Sequence, residues 1–175
     1  SRPINVAVIL KIHKEIFKQA WPEIAGVYRQ EFVEISYSKH KPPHWSKVPE
    51  LMKMMDDELK EKLAALKPLQ GIVMSGDEFS DEDYNEFDRL ISVVAWIHHR
   101  IVYIHPFREG NGRTARLTAN LVLERYGLVD ISVKNEKENK NKYRNALGQI
   151  DGINDYQPLK DMIADGLVER YEGIH

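Results

Sequence analysis

The chain has 175 residues, and its 25 Lys and Arg residues nearly balance its 27 Asp and Glu residues, for a formal net charge of −2. This balance gives no general attraction for nucleic acid or for an anionic membrane. The chain contains no cysteine, which excludes a disulfide framework and thiolate chemistry. No apolar run is long enough to span a bilayer, and residues 1–3 do not start a signal peptide. We therefore expect a single domain over residues 1–175, located in the cytoplasm and large enough to bury a core.

The first part of the chain predicts two helices separated by a less regular segment. Residues 4–20 predict a helix that ends before a Trp-Pro pair. Aromatic and β-branched residues between 32 and 37 predict a short strand, and three prolines between 42 and 49 exclude a helix there. Helical periodicity resumes over residues 51–66. The apolar face of the first helix is predicted to contain Ile9, Ile12, Ile16 and Phe17.

The most apolar helix is predicted between Ser80 and Ile104. Ser80 is the predicted N-cap, and Asp83 stands at the acidic position of a capping box. A further helix is predicted over residues 113–126, and the Lys/Asn/Glu run at residues 134–142 predicts a solvated linker followed by a helix start. The elements together predict an all-α bundle with one small hairpin. The apolar face before Ile104 contains Phe87, Leu90, Ile91, Val94, Ile97 and Ile101.

The most informative segment is residues 105–116, with the sequence HPFREGNGRTAR. Gly110 and Gly112 permit backbone conformations with positive φ, and Asn111 between them also tolerates the left-handed region. Successive backbone N–H groups in such a turn can point at one spot and bind an anion. Because a helix follows at once, its free N–H groups and its dipole favour the same anion. The segment therefore predicts a site for a phosphate-containing ligand.

Charged side chains in this segment indicate a site that binds a polyphosphate and transfers part of it. Arg113 and Arg116 are three residues apart, so both can lie on one side of the first turn, and arginine suits bidentate phosphate contacts. His105 is a candidate general base, since imidazole titrates near neutral pH. Glu109 is a single carboxylate, which is enough for Mg²⁺ that also binds substrate phosphates. The alternative is a glycine turn that opens an ordinary surface helix with solvated arginines.

Other residues near this segment are predicted to be structural. His98 lies one helical turn from apolar residues and is predicted to be a core histidine, and Phe107 is predicted to point into the core and fix the loop. The remaining histidines, among them His13 and His40, are not grouped in a pattern that suggests a metal site.

The segment resembles the core motif of the Fic family, whose pattern is His-Pro-Phe-x-(Asp/Glu)-Gly-Asn-Gly-Arg-x-x-Arg, and every defined position matches. Residues 12–17 and 21–29 resemble the family's first core helix and the Ala-Gly-x-Tyr-Arg turn after it. Residues 143–159 resemble its closing helices, so that roughly residues 4–170 are covered. The resemblance implies a single Fic-type helical bundle with a small β-hairpin flap over about residues 35–48.

The resemblance also implies a protein adenylyltransferase, which transfers AMP from ATP to a Ser, Thr or Tyr hydroxyl of a target protein and releases pyrophosphate. His105 would deprotonate the hydroxyl, and Glu109 would hold Mg²⁺ (or Mn²⁺) between the α- and β-phosphates. Arg113 would neutralise charge on the leaving phosphates, and Arg116 would reach the terminal one. The set assigned to nucleotide and phosphate binding is Arg108, Gly110, Asn111 with its side chain, Gly112, Arg113 and Arg116.

The flap of the family registers the target's backbone by strand addition. A plain proline-rich loop is the alternative for this segment. The tip of the flap, which would bind the target, would contain Lys39, His40, Lys41, Pro42, Pro43, His44 and Trp45.

Four other functions stay open on the same fold. A kinase-like relative that resembles Doc toxins would transfer the terminal phosphate, but those proteins have Lys where Gly112 stands. A de-AMPylase would remove AMP with the help of an inhibitory Glu. A non-catalytic nucleotide-binding module would need neither His105 nor Glu109, and a toxin component would act as part of a toxin–antitoxin pair.

The resemblance further suggests how such a protein is restrained. Many family members carry an inhibitory helix with the pattern (Ser/Thr)-x-x-x-Glu-(Gly/Asn), and this sequence has no full match. Ser132 and Glu136 are followed by Lys137, while residues 172–173 have the right ending but Val168 stands where the hydroxyl should be. We therefore expect any inhibition to come from an upstream segment or an antitoxin partner. A homo-oligomer is a further expected partner, and a secreted effector is the alternative to a cytoplasmic protein.

Overall fold

The computed structural model describes residues 3–36, 38–69, 78–131 and 137–173. Within these ranges the secondary structure consists of six α-helices and two short 3-10 helices, without a β-strand. The predicted all-α class is therefore confirmed. In the same ranges no helix is long and apolar enough to cross a membrane. The α-helices are α1 (Val6–Phe17), α2 (Val48–Ala64), α3 (Asp81–Ile104), α4 (Asn111–Arg125), α5 (Lys137–Ile153) and α6 (Gln157–Glu172).

The chain divides into two compact units, each formed by two stretches of sequence. The first unit contains Ser1–Ala64 and Ile97–Thr118, and the second contains Ala65–Trp96 and Ala119–His175. All of the motif at residues 105–116 belongs to the first unit. The residues that surround the motif and are described below belong to the same unit.

In the first unit α1 and α2 are in contact, and each has one buried stripe. In α1 the buried residues are Ile9, His13 and Phe17, at the four-residue spacing that keeps side chains on one helix face. Ile12 and Ile16 lie beside this stripe and are only half-buried. The buried face is therefore shifted by one residue from the predicted face, toward His13. The buried residues of α2 are Val48, Met52, Met55 and Leu59.

The start of α3 matches its predicted capping box. The Ser80 hydroxyl accepts a hydrogen bond from the Asp83 N–H at 3.3 Å, and the Asp83 carboxylate accepts one from the Ser80 N–H at 2.8 Å. This reciprocal pair satisfies N–H groups that have no partner inside the helix. The helix ends at Ile104, so the next residue begins the loop that leads to α4. Its buried apolar residues include Leu90, Ile91, Val94, Ile97, Ile101 and Ile104.

The predicted β-hairpin is not formed in the described part of residues 31–48, and this expectation is wrong there. Residues 31–36 and 38–44 have irregular backbone, and a 3-10 helix at Trp45–Lys47 leads into α2. Pro42 and Pro43 have no N–H to donate to a strand ladder. The carbonyl of Pro43 instead accepts a hydrogen bond from the Arg29 side chain at 2.6 Å. Residue 37, part of the predicted strand, lies outside the described residues.

The second unit contains α5 and α6, which pack against each other. The Asn120 side chain donates to the Ile131 carbonyl at 2.9 Å and accepts from the Ile131 N–H at 3.2 Å, which fixes the chain after α4. The helix start predicted within residues 134–142 is found at Lys137, the first residue of α5. Residues 134–136 lie outside the described part of the chain.

Candidate functional site

The candidate site is the loop between α3 and α4, where two residues have left-handed backbone. His105 has φ of 51° and Gly110 has φ of 76°. The left-handed region is uncommon for a residue with a side chain and easy for glycine. His105 therefore holds an unfavourable backbone conformation at the point where the chain leaves α3.

The ring of His105 is held in one tautomer. Its Nδ1 lies 3.1 Å from the Val102 carbonyl oxygen. A carbonyl can only accept, so Nδ1 carries the proton and Nε2 of the neutral ring keeps a free lone pair. Burial lowers the pKa of His105, and the charges of Arg29 and His40 lower it further. The ring is therefore neutral at pH 7 and can accept a proton at Nε2.

Gly110 is the N-cap of α4 and cannot carry a side chain without a change in the structure. Its carbonyl accepts the first intrahelical hydrogen bond from the Thr114 N–H at 2.9 Å. A Cβ built on Gly110 would lie 2.4 Å from Cε2 of Phe17. Gly112 differs, because it has helical backbone and a Cβ there would meet only Nη1 of Arg116, at 3.5 Å. Of the two glycines expected to allow positive φ, only Gly110 uses it.

Asn111 shapes the loop with its side chain. Its Oδ1 accepts from the Phe107 N–H at 2.9 Å, and its Nδ2 donates to the Phe107 carbonyl at 2.8 Å. The residue is 2% exposed and has helical backbone. The amide oxygen and the amide nitrogen of the side chain thus each have a partner inside the loop, and the predicted phosphate contact of this side chain stays a prediction. The backbone N–H of Asn111, in the first turn of α4, still faces the helix N-terminus.

His13 supports the loop from α1, a role that the sequence analysis missed. Its Nδ1 accepts from the Gly26 N–H at 2.9 Å, and its Nε2 lies 3.0 Å from the Glu109 carbonyl oxygen. One partner only donates and the other only accepts, so His13 must be neutral with its proton on Nε2. Burial lowers the pKa of His13, in agreement with this state. Its ring also stacks on Phe107 at 3.7 Å, and Phe107 is fully buried as predicted.

Two arginines flank the N-terminus of α4. The Arg113 guanidinium lies 4.8 Å from the centroid of the Phe17 ring, and Arg116 lies beside Gly112. Both side chains are exposed, and the first turn of α4 has no acidic residue. Two cations at this end oppose the helix dipole, whereas a bound anion would interact favourably with the dipole and with both cations.

His98 is a core histidine, as predicted. Its pKa is lowered to about 3 by burial and by the charges of Arg116 and His99.

Arg108 and Glu109 are both exposed, but they differ in their contacts. Nε of Arg108 lies 2.8 Å from Oε1 of Glu31, and its guanidinium lies 5.0 Å from the centroid of the Trp21 ring. These contacts link Arg108 to the segment after α1, and its assignment to phosphate binding stays a prediction. Glu109 has its backbone carbonyl fixed by His13, and its carboxylate is exposed to solvent.

The predicted flap contacts the end of α3 through His40 and is linked to it at Pro43 by way of Arg29. Nε2 of His40 lies 2.8 Å from the Tyr103 carbonyl oxygen, and its ring stacks on the Tyr103 ring at 4.1 Å. The carbonyl of Pro43 binds Arg29, a residue that the sequence analysis did not assign to the site. The rest of the predicted tip is largely at the surface, with Lys39, Lys41 and His44 exposed and Pro42 and Trp45 half-buried.

The chain is similar in sequence to one protein family and in fold to solved structures of that family. The model of the Fic/DOC family matches residues 3–123. The protein adenylyltransferase Fic of Nematostella vectensis is 30% identical over 135 residues, which cover 77% of this chain and 26% of the relative. That of Aedes aegypti is 30% identical over 162 residues, which cover 93% and 27%. The chain thus spans about a quarter of the length of these curated relatives.

A solved structure of similar fold is Fic-1 (residues 134–508) from C. elegans. It superposes with a TM-score of 0.69 at 26% sequence identity, and the match covers 98% of this chain and 44% of that one. The helical arrangement found here is therefore shared with a chain more than twice as long.

Proposed function

Because the chain belongs to the Fic/DOC family, we propose that it is a protein adenylyltransferase that transfers AMP from ATP to a Ser, Thr or Tyr hydroxyl of a target protein. The curated relatives that share this name support the reaction type. The observation that carries the proposal is the neutral His105, with Nε2 free, at the loop that opens the N-terminus of α4. A base beside an anion site is what transfer of a phosphoryl-type group to a hydroxyl requires.

The reaction follows from these groups. The target hydroxyl gives its proton to Nε2 of His105, and its oxygen attacks the α-phosphorus of ATP in line. The bond from the α-phosphorus to the oxygen that bridges to the β-phosphate breaks, and pyrophosphate leaves with those electrons. A pKa below the usual value keeps His105 in the basic form at pH 7, although it makes the ring a weaker base.

The N-terminus of α4 holds the phosphates in this proposal. The N–H groups of residues 111–113 have no partner inside the helix, and Arg113 and Arg116 add two positive charges at the same end. Charge that develops on the leaving pyrophosphate is stabilised by these preorganised groups. Gly112 presents no side chain to a phosphate that approaches the helix.

Glu109 is the residue that would hold Mg²⁺ or Mn²⁺. Its carboxylate is exposed while its backbone is fixed by His13, and one carboxylate fits a Mg²⁺ ion that takes its other ligands from phosphates and water. The described residues contain no group of three or more His, Cys, Asp or Glu side chains suited to a metal ion, so the ion would arrive with the nucleotide. When bound, such an ion neutralises charge on the phosphates. Other predicted partners, namely an inhibitory helix, an antitoxin or a second copy, stay predictions.

The test uses ATP labelled separately at the α- and γ-phosphates, with Mg²⁺ and a cell lysate from the source organism. The protein is compared with His105→Asn, which tolerates left-handed backbone and can still donate to Val102 but has no basic nitrogen. We expect α-label on a protein band with the unaltered chain, and a loss of about 100-fold or more in the variant. Chelation of the metal should abolish the label in both.

Binding of ATP to both proteins, measured by calorimetry, provides the control. Similar affinity with lost labelling supports a catalytic His105. Label that appears only from the γ-phosphate would replace the proposal with a kinase. Equal α-labelling by both proteins would show that His105 is not the base.

A further inference from the structure

We propose that Arg29 is a positioning residue that holds the flap segment and the His105 loop in one fixed geometry. The proposal rests on the proposed function for its kinetic consequences, but its structural consequences are independent. Arg29 is 4% exposed and lies between the two parts of the site. Its hydrogen bonds within the described residues go to backbone carbonyls, so it would act through the groups that it holds.

Arg29 binds the chain where it leaves α3. Its Nε donates to the His105 carbonyl at 2.7 Å, and its backbone N–H donates to the Pro106 carbonyl at 2.9 Å. Nη2 also lies 3.5 Å from the Ile104 carbonyl, at the limit of a hydrogen bond. The last carbonyls of a helix have no partner inside the helix, and a cation at this end interacts favourably with the dipole. Arg29 thus caps α3 from a position 76 residues earlier in the sequence.

The same guanidinium binds the segment that leads into the flap and the flap itself. Nη1 donates to the Glu31 carbonyl at 2.9 Å, and Nη2 donates to the Pro43 carbonyl at 2.6 Å. A guanidinium is planar and rigid, so these bonds fix the Pro43 carbonyl relative to the His105 carbonyl. A lysine ammonium has three donors on one atom and cannot span the same set.

The conformation of His105 explains why such a clamp is needed. Its φ of 51° is unfavourable for a residue with a side chain and persists only when surrounding bonds require it. Val102 fixes the ring and Arg29 fixes the peptide group that follows. Without Arg29 the backbone can relax, and Nε2 then moves away from the hydroxyl that it must deprotonate.

Arg29→Lys tests the proposal, because it keeps the charge and removes the planar donor set. Arg29→Gln is the second variant and keeps a planar donor without the charge. Arg170→Lys is the matched control, since Arg170 is an exposed residue of α6 and its ion pair with Asp130, at 3.6 Å, is exposed as well. Thermal unfolding confirms that each variant is folded before kinetics are measured.

We expect kcat to fall by about 100-fold in Arg29→Lys, as for a small misplacement of a reacting group, while the Kd for ATP stays unchanged. The KM for the target should also rise, because the flap loses its attachment at Pro43. By contrast, His40→Ala removes the contact of the flap with Tyr103, so we expect it to raise KM with a smaller loss of kcat. The control should match the unaltered chain in all of these constants.

The ring signals of His105 and His40, followed by NMR over a pH titration, give a readout that does not depend on turnover. The charges of Arg29, His40 and Glu109 influence the pKa of His105, and of these three groups only Arg29 is changed in Arg29→Lys and Arg29→Gln. We expect both ring signals to shift and the His105 titration to move in Arg29→Lys and in Arg29→Gln. Unchanged ring signals and unchanged kcat in a folded variant would overturn the proposal. If the unaltered chain transfers no AMP, the proposed function fails while the NMR result still decides the role of Arg29.

Discussion

Gly110→Ala is the sharpest test of how the loop is built, because two independent features of the structure oppose a side chain at this position. The backbone has φ of 76°, and the new Cβ would lie 2.4 Å from Cε2 and 2.8 Å from Cζ of Phe17. Gly112→Ala is the matched control two residues later. There the backbone is helical, and the nearest atom to the new Cβ is the end of the flexible Arg116 side chain at 3.5 Å.

The positive φ and the close approach to Phe17 each add to the loss of stability expected for Gly110→Ala. Left-handed backbone costs an alanine about 1–2 kcal/mol, and the overpacking of a buried ring costs about 1–3 kcal/mol more. We therefore expect the free energy of unfolding to fall by roughly 2–5 kcal/mol. The control should be stabilised by up to about 1 kcal/mol, because alanine favours helix over glycine.

Phe17→Leu separates the two terms, because leucine has no ring atoms at the positions of Cε2 and Cζ. Urea unfolding of the single and double variants gives a double-mutant cycle. We expect a favourable coupling of about 1–3 kcal/mol, which is the overpacking term, while the backbone term remains in the double variant. A coupling near zero would refute the predicted contact between Gly110 and Phe17. Equal effects of Gly110→Ala and Gly112→Ala would refute the backbone term as well.

Two further predictions concern buried polar groups of the first unit. The pKa of His98 is lowered to about 3 from an ordinary value of 6.5, so the unfolded chain takes up a proton first as the pH falls. The contribution of the neutral His98 to the free energy of unfolding is complete above pH 6.5 and decreases by about 1.4 kcal/mol per pH unit below it. We expect His98→Gln to remove this part of the pH dependence between pH 6.5 and 5 in denaturation experiments. An unchanged pH dependence would contradict the lowered pKa of His98. Asn111→Leu keeps the branched shape of the side chain and leaves the Phe107 N–H and carbonyl without its hydrogen bonds. The free energy of unfolding should therefore fall by about 2–4 kcal/mol, whereas a loss below about 1 kcal/mol in the same measurement would show that the clamp contributes little.

Local sequence signals predicted the parts of the fold that depend on neighbours in the chain. Periodicity found the apolar face of α3, and the Ser80 and Asp83 pair marked its start within one residue. The core position of His98 followed from the same periodicity, and the predicted burial of Phe107 in the loop is confirmed as well. The pattern at residues 105–116 indicated an anion site at a helix N-terminus, and the helix indeed begins inside that pattern, at Asn111.

Contacts between distant residues decided what the sequence analysis missed. His13 and the Glu109 carbonyl are 96 residues apart, and Arg29 and the His105 carbonyl are 76 residues apart. Nothing local distinguishes His13 from a core histidine or Arg29 from a surface arginine, because their roles come from carbonyls that the fold brings to them. The prediction of a hairpin was wrong in the described residues for a related reason. β-Propensity before Pro42 was real, but side chains of other segments hold this stretch in place of a strand ladder.

The motif is long because several of its defined residues build the loop, in addition to those predicted to contact a ligand. Asn111 clamps Phe107, Phe107 stacks on His13, and Gly110 leaves room for Phe17. Each contact restricts a position to one or two residue types for a reason that lies inside the protein. An anion site alone needs only free N–H groups and a cation, which many glycine turns before helices supply. A base fixed beside that site needs the buried contacts too, so a chain with the imidazole and both arginines, but without these contacts, would have the chemistry of this site without its geometry.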